Sequence, residues 1–355
     1  LPDAFDGNSF KAHGLAAAVK AMFVAPPGFA LGEVDYSGIE ALLVGHFAGS
    51  LGYMRLAKLG VHDYVNAYAL WQLDGILSEA DMPKLYWSDE DLAACFKTLK
   101  QKFPEARDVR KRMVHGRNYL MGWKEAQNVI LKEQHRIVPA KPIKDFLRFY
   151  DELFPEIGVW QRGLIQTVGG VEDRDRDARI ELGGLGGVDR GVLRGVRSGS
   201  EAGNLGGGTA PDPTQTPAQS NRAGLSPWGT AGPGWVRNPF GYLHRYNRAV
   251  EWERVGGTWQ WKPGADAARL VAFLPQSTAA GIIKEAMLRV EERDPELLTA
   301  LRLLIHDSLV IEAPEGRIAE LARRLAQIMQ EPNPELDGLW VGTETKTGKS
   351  WLLTE

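Results

Sequence analysis

The stretch Phe29–Ala48, FALGEVDYSGIEALLVGHFA, changes period in its middle. Phe29, Ala30, Leu31 and Val34 make a short apolar run of the kind that forms a buried strand. Ile39, Leu42, Leu43 and His46 then recur at i, i+3, i+4 and i+7, as on one face of a helix. Asp35 falls at the junction, where a carboxylate is held by the sheet yet faces the crevice in which strand gives way to loop. Such a place suits a metal ligand, although Ser37 and Glu40 also fit the Ser-x-x-Glu capping box of an ordinary helix start.

A second stretch bears on the first. Leu303–Pro314, LLIHDSLVIEAP, has apolar runs on both sides of His306-Asp307 and reads as a tight hairpin with Asp307 at its tip. Two aspartates from distant strand ends can share a pair of divalent cations. Such a pair activates an attacking oxygen and steadies a leaving one during displacement at phosphorus. Mg²⁺ suits this arrangement because it keeps much of its coordination for water and substrate phosphates, so few protein ligands are needed.

A third stretch, Arg107–Gly122, RDVRKRMVHGRNYLMG, spaces Arg107, Lys111, His115 and Tyr119 by four, so that cations and rings share one helix face. Cations there would neutralise charge on a transferred phosphoryl group and its leaving group, and rings would offer stacking surfaces for bases. Arg and Lys at this spacing also occur on ordinary solvated helices.

Together the stretches resemble, in order, motifs A, B and C of the family A DNA polymerases (the DNA polymerase I family): VDYSGIE is similar to DYSQIE, the stripe to RxxxKxxxFGxxY, and IHDSLVIE to VHDELVLE. The resemblance runs over about 17–167 and 234–353. It implies an α+β fold, a palm of antiparallel sheet with packed helices carrying a mainly helical fingers subdomain. The division expected is palm in 1–54, fingers in 55–167, and palm again in 234–355. Residues 168–233 are an insertion, rich in Gly, Pro, Ser and Thr, with too little apolar period to offset chain entropy, and expected to be disordered.

The activity implied is DNA-templated addition of dNTPs to a primer 3′ end. Asp35 and Asp307 would be the catalytic residues and hold two Mg²⁺ ions, with the Tyr36 backbone carbonyl as a further ligand. The resemblance gives Arg107 and Lys111 the triphosphate, His115 the sugar and base, and Tyr119 the templating-base pocket. Glu40 would crowd the sugar 2′ position, and Tyr36 would join the dNTP contacts. His62, in LGVHDYVNAYA, would meet the triphosphate, or else pack against Tyr64 or Tyr68 at a helix start. DNA contacts would come from Lys20 and His306 near the primer end, from Gln276, and from Gly116, whose bare backbone would let the duplex approach. Gln276 also reads as a helix cap with Thr278.

Departures are specific. Gly38 and Leu42 stand where the family has glutamine and arginine, His115 where it has Phe or Tyr, Leu120 where it has glycine, and Ser308 where it has glutamate. The last removes a possible metal-shell carboxylate. Two rivals therefore stand: a single-subunit RNA polymerase, against which Glu40 argues, and a catalytically inactive nucleic-acid-binding remnant.

Composition is that of an ordinary globular chain of 355 residues with a formal charge of −3, which excludes a uniformly basic coat but not a local basic cleft. The single cysteine, Cys95, excludes an internal disulfide and fits a reducing cytoplasm, as in a bacterium or a phage-infected cell. No apolar run is long enough for a membrane span. Primer-template DNA and dNTPs are the partners implied, with accessory replication proteins left open. Leu1 at the start, and the lack of a recognisable thumb or exonuclease stretch, lead us to expect further sequence upstream, weak duplex grip and no proofreading. The ending LWVGTETKTGKSW is similar to the family's closing strand.

Overall fold

The computed structural model describes residues 19–134, 137–171 and 234–352; of the insertion expected over 168–233, residues 172–233 lie outside them, and Val168 ends a helix. Strand β1 (Phe29–Tyr36) runs into helix α1 (Ile39–Ala48) through Ser37-Gly38. The helix starts one residue later than a Ser37 capping box requires. Gly38 takes φ +62°, its carbonyl accepts from the Leu42 N–H, and the Ser37 N–H donates to the Gly342 carbonyl.

The apolar positions Leu56, Leu59 and Leu70 predict a helix over Tyr53–Leu73, but the structure has two, α2 (Leu51–Leu59) and α3 (Val61–Gln72), broken at Gly60. Gly60 has φ +136°, which other residues avoid, and a Cβ there would press on Asp63 and Phe96. Helix α4 (Asp89–Lys102) opens on the Ser88 side-chain cap, with Asp89, Glu90 and Asp91 in its first turn and Lys100 and Lys102 in its last, as the helix dipole favours. Next come α5 (Pro104–Arg117), α6 (Trp123–Gln134), α7 (Ala140–Leu153) and α8 (Pro155–Val168).

After 233 the chain forms two hairpins, β2 (Trp235–Arg237) with β3 (Leu243–Arg245), and β4 (Val250–Val255) with β5 (Thr258–Pro263). The second turns on Gly256-Gly257, both at positive φ. The sequence predicts a helix over Phe273–Arg293; helix α9 (Ala267–Arg293) begins earlier, at Ala267, and carries Pro275 inside it. Helix α10 (Pro295–Ala300), β6 (Leu301–Ile305), β7 (Ser308–Pro314), α11 (Ile318–Met329) and β8 (Thr343–Gly348) complete the order.

Contacts divide the chain into two units. The first comprises Leu1–Leu43, Pro239–Tyr242 and Pro275–Glu355. Its centre is a four-stranded sheet in the order β6-β7-β1-β8, each neighbouring pair antiparallel. The period of two sends Val34, Tyr36, Leu309, Ile311 and Ala313, all buried, to one face. Helix α11 packs there: the missing Cβ of Gly32 admits Ile318, and the Tyr36 hydroxyl donates to the Met329 carbonyl at 2.7 Å. The opposite face carries Glu33 and Asp35 on β1 and, directly across on β8, Lys346 and Glu344.

The second unit, Val44–Asn238 with Leu243–Leu274, is helical apart from the residues of the two hairpins. Its core holds a polar knot in which the Tyr53 and Tyr150 hydroxyls meet Asn118, while the Gln161 amide donates to the Arg117 and Asn118 carbonyls at the end of α5. Buried groups of this kind hold one arrangement because each partner satisfies another. The chain leaves after α8 and returns close by: the Gly234 N–H donates to the Val168 carbonyl at 2.6 Å.

Candidate active site

In the first unit β7 follows β6 through a two-residue turn, with Ile305 paired to Ser308, so His306-Asp307 forms the tip as the sequence implies. His306 takes φ +54° and is exposed. Register sets the rest. Asp35 lies opposite Ser308, and the Tyr36 N–H donates to the Asp307 carbonyl at 3.1 Å, which brings the two aspartates together. Their carboxyls are within hydrogen-bond reach of one another.

Burial first, and then the charges of Asp307, Glu33 and Glu344, push the Asp35 carboxyl up to about 7. Asp307 is raised too, by burial and by Glu40. The structure thus gathers five acids around one strand end. Of these Asp35, Asp307 and Glu40 were read from the motifs, whereas Glu33 and Glu344 were not. Glu33 stands two residues before Asp35, which places it on the same face of a strand, a signal the sequence already carried. Glu344 had none, because its position depends on how β8 pairs.

Other residues of this unit diverge from the reading. The Tyr36 side chain is in the core, since the strand alternation that raises Asp35 on one face turns Tyr36 to the other, and burial pushes its phenol up. A substrate contact from Tyr36 is therefore limited to its backbone. Lys20 lies 3.9 Å from Glu33, with its ammonium 4.6 Å above the Trp351 ring. Gln276 is exposed inside α9, so it caps nothing, and Thr278 is fully buried.

In the second unit α3 and α5 set the basic stripe beside His62. Arg107 forms a two-pronged ion pair with Asp63 of α3. Lys111 and His115 are exposed farther along α5. His62 is pushed down to about 3, by burial first and then by Lys111, Arg107 and His115. Its Nδ1 is buried without a hydrogen-bond partner. The stripe is shorter than drawn from sequence, because α5 ends at Arg117. Tyr119 sits in the following turn and meets His115 edge-on, with ring centroids 5.3 Å apart. The bare side of Gly116 is filled by Met121, with which any Cβ would collide, so the glycine admits a methionine. Leu120, where the motif has glycine, takes φ +65°.

The donor set fits hard divalent cations. Paired carboxylates, raised chiefly by burial, gain from positive charge, and Mg²⁺ takes one or two of them with phosphates and water. Among the described residues no three His, Cys, Asp or Glu already converge as a metal-holding group. None of the described helices is long and apolar enough to cross a membrane.

Comparison with known proteins agrees in kind. Residues 266–353 match the model of DNA polymerase family A. A thermostable DNA polymerase I of Thermus thermophilus is 37% identical over 94 residues, and that of Thermus aquaticus 37% over 89, each covering 24% of this chain and 10% of the relative's length. DNA polymerase theta of Caenorhabditis elegans is 29% identical over 92 residues. The solved POL domain of Pol1 from M. smegmatis, in complex with DNA primer-template and dNTP, aligns with a TM-score of 0.55 at 16% identity over 95% of this chain and 42% of that one. The α+β architecture is shared with that domain.

Proposed function

We propose, for a chain whose residues 266–353 match the model of DNA polymerase family A, that it adds deoxynucleotides to a primer 3′ end under template direction, in the cytoplasm. The observation that carries this is the meeting of Asp35 and Asp307, from strands far apart in sequence, at one hairpin tip. Asp35 and Asp307 would hold two Mg²⁺, with the Tyr36 carbonyl beside them. Bound there, the ions supply a Lewis acid and a charge clamp for in-line displacement at the α-phosphate.

The chain's own residues do the rest. The carboxylates Asp35 and Asp307 fix the primer hydroxyl's position, and Glu40, beside Asp307, narrows the space for a ribose 2′ hydroxyl. The sugar, base and triphosphate contacts fall to Lys111, His115, Tyr119, Arg107 and His62 of the second unit. Lys111 offers its exposed ammonium directly, while Arg107 has first to share its guanidinium with Asp63. Lys20, His306 and Gln276 are assigned to primer-template DNA, and Gly116, whose bare side Met121 fills, is not.

That engagement of Arg107 favours one second reading, a remnant that binds primer-template without extending it. Primer extension separates the two. Wild-type protein is expected to extend with Mg²⁺ and dNTPs and not with rNTPs, and Asp35→Asn and Asp307→Asn to abolish extension while leaving duplex binding intact. Binding without any metal-dependent extension by the wild type would establish the remnant, and equal use of rNTPs an RNA polymerase.

A further inference from the structure

Motif C of this chain lacks its second acid: Ser308 stands where the family has glutamate. The Ser308 side chain is buried at 4% exposure, and its hydroxyl donates to Glu33 Oε1 at 3.1 Å. Glu33 belongs to the neighbouring strand. It pairs with Val310, so its reach to Ser308 is a diagonal toward the hairpin tip, within the span of a long side chain. We propose that Glu33 supplies the carboxylate that position 308 has lost, so that the third acid beside Asp35 and Asp307 has moved from β7 to β1. The inference rests on the polymerase reading and deepens it.

Three observations carry it. First, the side chain is engaged at the hairpin: the Ser308 hydroxyl has Glu33 Oε1 at 3.1 Å and the Ile305 carbonyl at 3.2 Å as acceptors, and the Trp351 indole N–H donates to the same Oε1 at 3.2 Å. The contacts to Glu33 fall on Oε1 and leave Oε2 outside them. Second, strand alternation puts Glu33 on the same face as Asp35, with Lys20 3.9 Å away and Lys346 directly across on β8 as the cations near it. Third, Ser308 is buried and lies directly opposite Asp35, so a carboxylate in contact with its hydroxyl is held beside that aspartate. A serine at 308 then has a use. It is small enough to leave room for the acid from β1 and polar enough to orient it.

The test separates charge from architecture. Glu33→Gln keeps an oxygen that accepts from Ser308 and Trp351 but removes the charge, so a structural role predicts no change. Mn²⁺ binding to the full chain, followed by loss of the free-ion electron paramagnetic resonance signal, is expected to weaken about tenfold in Glu33→Gln, the scale on which outer carboxylates tune metal sites. The double variant Glu33→Gln/Ser308→Glu, which returns the acid to β7, is expected to recover most of that loss. Thermal melting without metal reports whether each variant is folded. Wild-type Mn²⁺ affinity in Glu33→Gln, alongside its loss in Asp35→Asn, would overturn the relocation and leave the polymerase reading standing. Unchanged affinity in Asp35→Asn as well would overturn the metal site on which both rest.

Discussion

The two units gather charge of opposite sign, and each bends one titratable group to relieve it. On the sheet, burial and the company of Asp307, Glu33 and Glu344 raise Asp35, which relieves repulsion by taking a proton. On the helices, burial and the company of Lys111, Arg107 and His115 lower His62, which relieves it by shedding one. What the difference teaches is that each unit carries a concentration of like charge that a partner of the other sign would relieve, the cations and phosphates of the proposed function. The cost of assembling like charges is evidence of a ligand more than any single residue is.

The sharpest way to break the comparison is to remove a charge from each side. Asp35→Asn is expected to lower the extension rate by about a thousandfold, the upper end of what one electrostatic contact contributes to a transition state. Lys111→Ala is expected to raise the KM for dNTP by about ten- to a hundredfold, the worth of a charge-assisted hydrogen bond to phosphate. Steady-state primer extension reads both. Equal effects on kcat and KM from the two variants would remove the distinction between a centre for chemistry and one for substrate.

The next test is pH dependence without metal. A carboxyl raised in the folded state stabilises folding when protonated. The Asp35 contribution is therefore full below 3.8 and is lost as pH rises through about 7. A histidine lowered in the folded state works the other way: the His62 contribution is full above 6.5 and is lost as pH falls toward about 3. Melting temperatures across this range are expected to lose their alkaline fall in Asp35→Asn, or on adding Mg²⁺, and their acid fall in His62→Gln.

The smallest effects concern the second unit's framework. Replacing 172–233 by a short Gly-Ser linker is expected to change the melting temperature by only a few degrees, because Val168 and Gly234 already meet and closing a longer loop costs little, about 0.6 kcal/mol per doubling of length. Leu120→Gly is expected to stabilise by about 0.5 kcal/mol in urea unfolding, since a left-handed leucine costs about 1–2 kcal/mol and glycine returns part of that in entropy.

Much of this was legible in the letters. The change of period at Asp35 and the apolar runs around His306-Asp307 gave two strands, a helix and a hairpin, because both signals are local. Less local matters were not. That Tyr36 turns inward follows from alternation once the strand is fixed, whereas the motif alone puts it with the substrate. That Glu344 neighbours Asp35 depends on pairing between strands some three hundred positions apart, for which one sequence carries no sign. The break at Gly60 and the end of α5 before Tyr119 were missed because apolar spacing continues across both, and only backbone angles and packing reveal the interruption.

The two-residue turn between β6 and β7 has a consequence for how this segment can change. Alternation is strict along β7, so adding or deleting one position between Ser308 and Pro314 would turn the residues beyond it to the wrong side of the sheet, whereas β6 already absorbs an irregularity between Leu301 and Leu303. Among descendants of this gene, insertions and deletions are expected to be purged from the span between Ser308 and Pro314, which is kept as a fixed ruler, and tolerated sooner in β6.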